Sequence, residues 1–251
     1  MNFDPLILLA GLIALFSSFV GAFAGGGSLI LLSCLILLFP DSYLSHLTIV
    51  KISALFLVLT SSQIHLKKNK FNLPFLFVIT FTAVVGMILG TYLVQFVLKE
   101  EFIYLFLGIL LLLLPIYYVF TPRIGLNVRS HTDFTPGETV LGGIALFFFA
   151  LINALSGGMG FILNAYFVLV HRFSFIQATA YGMLSGIIVI GLQVAYLMTQ
   201  VSLNLHLVAS VVIGSIVGAY LGTHFQYQKG NLLVKGAASL VMLILGIEML
   251  F

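Results

Sequence analysis

Gly21-Ala-Phe-Ala-Gly-Gly-Gly-Ser-Leu-Ile-Leu31 cuts a continuous apolar run with a glycine cluster, and Asn153-Ala-Leu-Ser-Gly-Gly-Met-Gly-Phe-Ile-Leu163 does the same further along the chain. Each cluster is followed by an apolar piece of only half a membrane span, Ser28–Phe39 and Phe161–Val170. Glycine-interrupted or short apolar segments at matching places in two halves point to a transporter binding site. A second pair of stretches aligns in the same order: Val85-Gly-Met-Ile-Leu-Gly-Thr-Tyr-Leu93 with Ile213-Gly-Ser-Ile-Val-Gly-Ala-Tyr-Leu221. The offsets are 132 and 128 residues, so the halves differ only slightly in loop length.

The composition supplies the setting. Of 251 residues 61% are hydrophobic and only 7% charged, where a soluble domain carries about 25% charged residues. Ten Lys or Arg and seven Asp or Glu cannot coat a water-facing globule of this size. This excludes a cytosolic enzyme, a nucleic-acid binder and a secreted domain, and a mean hydropathy of +1.23 agrees. The net charge of +3 reads as basic cytoplasmic loops rather than as a nucleic-acid surface. The single cysteine, Cys34, allows no intramolecular disulfide and no cysteine-based metal site. Met1-Asn-Phe-Asp-Pro5 lacks the basic start of a cleaved signal peptide, so the first apolar stretch reads as a retained helix.

The expected fold is an all-α polytopic membrane protein. A span needs about 20 apolar residues, and the runs are continuous rather than alternating, which argues against a β-barrel. Eight long helices are expected: Pro5–Phe23, Tyr43–Leu66, Leu73–Leu98, Phe102–Phe120, Glu138–Leu155, Ser174–Gln200, Leu203–Phe225 and Leu232–Phe251. They form two homologous repeats, residues 1–120 and 138–251, joined by a linker at 121–137. Each repeat has four long helices and one short glycine-broken or re-entrant helix. Lys67, Lys68 and Lys70 mark a cytoplasmic loop. The repeats are then inverted if the short helices change side, which brings His171, Arg172 and Lys229 inside, and parallel if they return. Charge bias favours inversion.

The chemistry starts from the backbone. A helix N-terminus offers free amides and a partial positive charge, and glycine lets an anion come close. Gly25, Gly26, Gly27 and Ser28 form one such cradle, and Gly157, Gly158 and Gly160 the other. Gly86, Gly90, Gly214 and Gly218 occur as Gly-xxx-Gly and read as close helix packing. Lys51 lies within Tyr43–Leu66 with no acid nearby in sequence. A membrane-embedded lysine is a functional candidate by default, and an anion is its natural partner. His46, about a turn earlier and close to the same helix face, is the candidate carrier of a coupled proton. Thr48 and Thr179 occupy corresponding positions after the two short helices and are added to the substrate site. Asn153, Asn164, Gln177, Tyr181 and Gln193 supply further polar groups, some of them ordinary interhelical bonds. His65, His206 and His224 read as interfacial, His171 and Arg172 as loop anchors. No protease, hydrolase or nucleotide-binding motif appears, and no catalytic residue, metal site or cofactor is expected.

These features resemble the sulfite exporter TauE/SafE family of membrane permeases over almost the whole chain. The resemblance rests on Gly25-Gly-Gly-Ser-Leu-Ile-Leu-Leu, Thr48-Ile-Val-Lys51, Gly157-Gly-Met-Gly and Ala178-Thr-Ala-Tyr. Some members carry Thr-Asn-Lys where this chain has Ile49-Val-Lys, and many have proline where it has Ser33-Cys34, which leaves subfamily and substrate open. The resemblance implies a carrier of small sulfur-containing anions such as sulfite or an organosulfonate. It implies export across a bacterial inner membrane without ATP, coupled to protons. Its partners are then a small anion, membrane lipids and protons, with no nucleic acid and an open oligomeric state. The rival readings are an anion channel on the same scaffold and a non-transporting membrane subunit.

Overall fold

The computed structural model describes residues 5–39, 42–94, 134–156 and 160–250, with a few positions between 109 and 126. The expected helix Phe102–Phe120 is, apart from scattered positions, outside the described residues. So are the Lys99-Glu-Glu turn, Arg129, His131, Gly157 and Gly158. Among the described residues all regular structure is helical: α1 (Pro5–Phe23), α2 (Gly27–Leu38), α3 (Tyr43–Lys68), α4 (Leu73–Val94), α5 (Pro136–Ser156), α6 (Gly160–Leu169), α7 (Phe175–Leu197) and α8 (Leu205–Leu250). Six of these are long and apolar enough to cross a membrane, and α2 and α6 are the two shorter apolar helices. The last two expected spans run as one helical element interrupted at Gly230, where φ 75° and ψ 176° break the helix. Beyond that break Val241 and Ile244 come back beside Phe16 and Val20 of α1, so the chain reverses there.

Why the helices lie where they do can be read from their registers. Ser210 Oγ donates to the Ile7 carbonyl and Gln226 Nε2 to the Phe23 carbonyl, both pairs 203 residues apart. Between them Gly214, Gly218 and Gly222 press on the backbone of Gly11, Leu15 and Phe19. A constant offset over this length means that α1 and α8 run parallel in one four-residue rhythm. The absent Cβ lets the backbones touch, the usual device where water provides no drive between helices. Gly86 and Gly90 of α4 press in the same way on the carbonyls of Phe147 and Leu151 of α5, so that pair is also parallel. Both Gly-xxx-Gly motifs therefore serve close packing.

A polar ladder joins α3 to α8. The hydroxyls of Ser53 and Ser215 lie 2.7 Å apart, Thr223 Oγ1 donates to Ser61 Oγ at 2.8 Å, and His65 Nδ1 lies 2.7 Å from the Tyr227 hydroxyl. All three pairs are 162 residues apart, which makes α3 parallel to α8 as well. Since α1 and α3 point the same way, the chain between them must reverse, and α2 makes that return after Gly25 (φ 97°) and Gly26 (φ 74°). Gly186 and Gly191 of α7 face Val58 and Leu55 of α3, an opposite numbering that makes α7 antiparallel to α3. Just before α4 the Asn72 amide donates to the Tyr181 hydroxyl at 2.9 Å, and near its end Thr91 shares a small cavity with Gln193, so α4 follows α7. Hence α1, α3 and the part of α8 before Gly230 point one way, and α4, α5 and α7 the other.

One end of the bundle gathers the basic side chains. Lys67 and Lys68 finish α3, and Lys68 Nζ sits 4.7 Å above the Tyr227 ring. Lys235 Nζ donates to the Thr121 carbonyl at 2.7 Å, beside Arg123, and the Phe175 amide donates to the Gly125 carbonyl at 3.0 Å, next to Arg172. His65 and His171, expected at the interface or in a loop, are both buried: His171 lies among Phe75, Phe134, Phe167 and Phe173 with Nε2 3.1 Å from the Tyr166 hydroxyl.

The glycine packing gives a direct test. A side chain at Gly218 would overlap the Leu15 carbonyl, whereas Gly236 has open space around it. Overpacking costs about 1–3 kcal/mol, and glycine to alanine within a helix is worth up to about 1 kcal/mol in the other direction. Gly218→Val is expected to lower the thermal midpoint in detergent, and Gly236→Ala to leave it unchanged or raise it.

Candidate functional site

The first glycine break meets the start of α6 at Gly160. Alpha carbons of Gly25 and Gly26 face the start of α6 so closely that a Cβ on Gly160 would stand 3.0 Å from the Gly26 nitrogen. A Cβ on Gly25 would stand 2.9 Å from Asn164 Nδ2, and one on Gly26 would overlap the Phe161 ring. Gly27 serves a different contact. A Cβ there would overlap the Ser17 carbonyl, so its absence lets α2 fold back onto α1. The first backbone bond of α2 runs from the Leu29 amide to the Gly26 carbonyl, so the amides of Gly27 and Ser28 precede its ladder.

Beside this junction lies a cavity of about 140 Å³. Its lining comes from α3, α4, α5 and α7, from the first glycine break and from α6. The polar part of its wall is Ser28, Lys51, Asn153, Asn164, Thr179 and Ser185 together with the glycines, and Leu57, Leu146, Phe149, Met183 and Val189 belong to the apolar part. An engineered cavity of about 150 Å³ takes benzene, so this one has room for a small organic anion or for an inorganic oxyanion. Among the described residues that line it, Lys51 is the one ionisable group.

Lys51 is 1% exposed and its Nζ donates to the Asn153 carbonyl at 2.9 Å. No carboxylate lies on the described wall to balance its charge. A buried ammonium without a counter-charge is costly, and an entering anion removes that cost. Asn164 Nδ2 donates to Thr179 Oγ1 at 3.2 Å, while Thr179 Oγ1 donates to the Phe175 carbonyl at 2.9 Å. These bonds fix both side chains at the cavity wall.

Of the residues expected at the site, Gly25, Gly26, Gly27, Ser28, Lys51, Gly160 and Thr179 line the cavity. Gly157 and Gly158 are outside the described residues. Thr48 does not line the cavity: it is buried and its hydroxyl donates to the Leu44 carbonyl one turn back, at 2.6 Å. His46 is buried on another face of α3, since five residues carry it about 140° round the helix from Lys51. The other polar groups divide between the cavity and the helix contacts. Asn153, Asn164 and Ser185 join the cavity. Gln177 closes a capping box with Ser174, Tyr181 takes the Asn72 amide, and Gln193 binds the Ala154 carbonyl. Asn164 and Ser185 line the cavity without having been placed there from the sequence. Asn164 carried a signal, as the one amide in a short apolar helix after a glycine break. Thr179, Gly182, Met183, Gly186 and Val189 carried another, a stripe of mostly small residues at helical spacing.

A profile of the sulfite exporter TauE/SafE family matches residues 10–249, nearly the whole chain. The chain belongs to the sulfite exporter TauE/SafE family. No curated protein and no solved structure matches it. Membership makes this TauE/SafE chain an integral, multi-pass membrane transporter for sulfite or related sulfur anions, and not an enzyme. A buried cation on a central cavity suits such a cargo.

The junction itself can be tested by a double-mutant cycle. Gly26→Ala is expected to cost stability twice, through its left-handed backbone and through the Phe161 ring. Adding Phe161→Ala should recover part of the loss in thermal midpoint, and strict additivity would show that the two residues do not touch.

Proposed function

We propose that this TauE/SafE member is a secondary exporter that carries a small sulfur-containing anion, sulfite or a short organosulfonate, by alternating access. The observation that carries the reading is Lys51, buried on the cavity wall between the glycine breaks with no carboxylate beside it among the described lining residues. The anion sits against the Lys51 ammonium and the amides that open α2, with Asn164 and Thr179, held by their own hydrogen bonds, shaping the wall beside it. The apolar part of the wall favours a cargo with a short carbon body.

The scaffold is two inverted repeats, residues 1–120 and 138–251, joined by 121–137. The pairing of α1 with α8 and of α4 with α5 supports this, because exchanging the halves turns one pair into the other. The directions of the helices support inversion: α1, α3 and α4 each run opposite to α5, α7 and α8. In this scheme the basic end is cytoplasmic, which sets the cavity midway across a bacterial inner membrane. One helix bundle rocking against another about such a site is the usual course of alternating access. The coupled proton falls to His46, buried in α3 close to Lys51 in sequence though not on the cavity.

Proteoliposomes loaded with labelled sulfite or sulfoacetate test the reading. Lys51→Met is expected to lower the transport rate at least 100-fold while Lys51→Arg retains part of it; transport by Lys51→Met at the wild-type rate would falsify the site. His46→Gln is expected to keep anion binding and to lose the acceleration that an imposed pH gradient gives. Unaltered acceleration in that variant would remove His46 from the coupling. Saturating flux, rather than single-channel current, is the expected form of transport.

A further inference from the structure

Lys51 does not stand alone on its face of α3. Ala54, Val58, Ser62 and His65 follow it at steps of three or four residues, which keeps them on one stripe of the helix. Lys51, Ala54 and Val58 line the central cavity. Ser62 and His65 carry the stripe about 6 and about 10 Å past Val58 along the axis, toward the basic end. The stripe lies at the contact of α3 with α7, where Val58 meets Gly186. In the antiparallel numbering of that pair, Ser62 falls level with Gly182 and Met183, both on the cavity wall.

Both groups are polar and deeply buried, Ser62 at 1% exposure and His65 at 0%. Ser62 Oγ and His65 Nε2 have no hydrogen-bond partner among the described residues. Native interiors rarely leave such groups, and the hydrocarbon around them has no water to offer. The other ring nitrogen tells what kind of group Nε2 is. Asn69 Nδ2 donates to the His65 carbonyl at 3.3 Å and to the Tyr227 hydroxyl. That hydroxyl therefore keeps its own proton for His65 Nδ1, 2.7 Å away. The imidazole proton then sits on Nε2, so the two unused groups are an N–H and an O–H, both able to donate. Ser61, the next residue back, makes the contrast: its hydroxyl accepts from Thr223 at 2.8 Å within the α3–α8 ladder.

Two unused donors on one stripe suit an anion, and the charge beyond them has the matching sign. Lys67 and Lys68 close α3 just past His65, Lys70 follows, and all three are exposed. Such a cluster at the mouth of a path raises the local concentration of anions. We infer that the anion passes between the cytoplasmic end and the central cavity along this stripe of α3, with Ser62 Oγ and His65 Nε2 as a second binding station on the way. The inference rests on the reading of the cavity as the anion site and of the basic end as cytoplasmic. The aliphatic contact of α3 with α7 is then the seam that parts to admit the cargo.

Cys34 is the only cysteine of the chain, so in a Cys34→Ala background Ser62→Cys and Ser61→Cys each place a single thiol at nearly the same depth. Sealed inside-out and right-side-out vesicles carrying the full chain are treated with an anionic and with a cationic membrane-impermeant thiosulfonate of similar size. Each rate is divided by the rate for a free thiol. Position 62 is expected to react from the cytoplasmic side, at least about tenfold faster with the anionic reagent, while position 61 stays unreactive. In proteoliposomes, His65→Gln keeps an N–H where Nε2 stands and is expected to retain sulfite flux, whereas His65→Phe lowers it at least about tenfold. If His65→Phe does not fold, the thiol rates decide. Equal rates at 61 and 62, reaction from the outer side alone, no preference for the anionic reagent, or full flux in His65→Phe overturns the route. The central site stands in each of those cases if Lys51→Met still abolishes transport. Transport by Lys51→Met at the parent rate removes the central site and the route with it.

Discussion

Inside a bilayer no water is at hand for an unpaired carbonyl or amide, so a helix can stop there only if protein groups finish its hydrogen bonds. Two helices of this chain stop that way, and much of the rest follows from the need to complete them. Gln226 and Asn164 meet the carbonyls at the end of α1, and Lys51 and Gln193 meet the Asn153 and Ala154 carbonyls near the end of α5. Those four donors come from α8, α6, α3 and α7, so four further helices must converge on the breaks. The cavity is what this convergence leaves behind. Glycine at 25, 26 and 160 keeps the gap between the breaks narrow, and the middle turns of α3, α4, α5 and α7 close it round.

The same small-residue chemistry sets the frame. Parallel pairs α1–α8 and α4–α5 pack backbone on backbone through glycines four residues apart. Neither pair links neighbours in sequence: α1 meets a helix some 200 residues on, while α4 meets α5 across the linker. Stability therefore depends on contacts between the two halves of the chain as much as within them. The polar ladder of Ser53, Ser61 and His65 with Ser215, Thr223 and Tyr227 adds direction to this packing, because hydroxyls and rings pair in only one register.

Much of this was legible in the sequence, and the parts that were not have physical causes. The span α1 agreed at both ends because an apolar run bounded by Pro5 and a glycine cluster has no alternative reading. The break at Gly230 could be expected only as a gap between two spans, since the helical phase resumes at once beyond it. Lys51 was legible because a lone charge in a membrane helix is so costly. His46 was grouped with it by nearness in sequence and Thr48 by its match to Thr179 in the second half, but helical geometry turns His46 to another face and a hydroxyl can spend its bond on its own backbone, as Thr48 does. Asn164 and Ser185 needed the fold, because an amide or a serine is equally at home in an interhelical bond. Burial of His65 and His171 was likewise hidden: their partners, Tyr227 and the phenylalanine cluster, come from distant parts of the chain.

The constant offsets of 203 and 162 residues carry a mechanical meaning. Ridges that repeat every four residues can re-engage only after a slide of about 6 Å, and any smaller slide would strand hydroxyls and press carbonyls onto one another. Helices α1, α3 and α8 are therefore locked along their axes like meshed racks and move as one body. The contact of α3 with α7 at Gly186 and Gly191 is made by aliphatic side chains and has no such teeth. Tilting at that seam changes the shape of the central space without stripping any rack, so rotation rather than sliding is the motion this architecture permits.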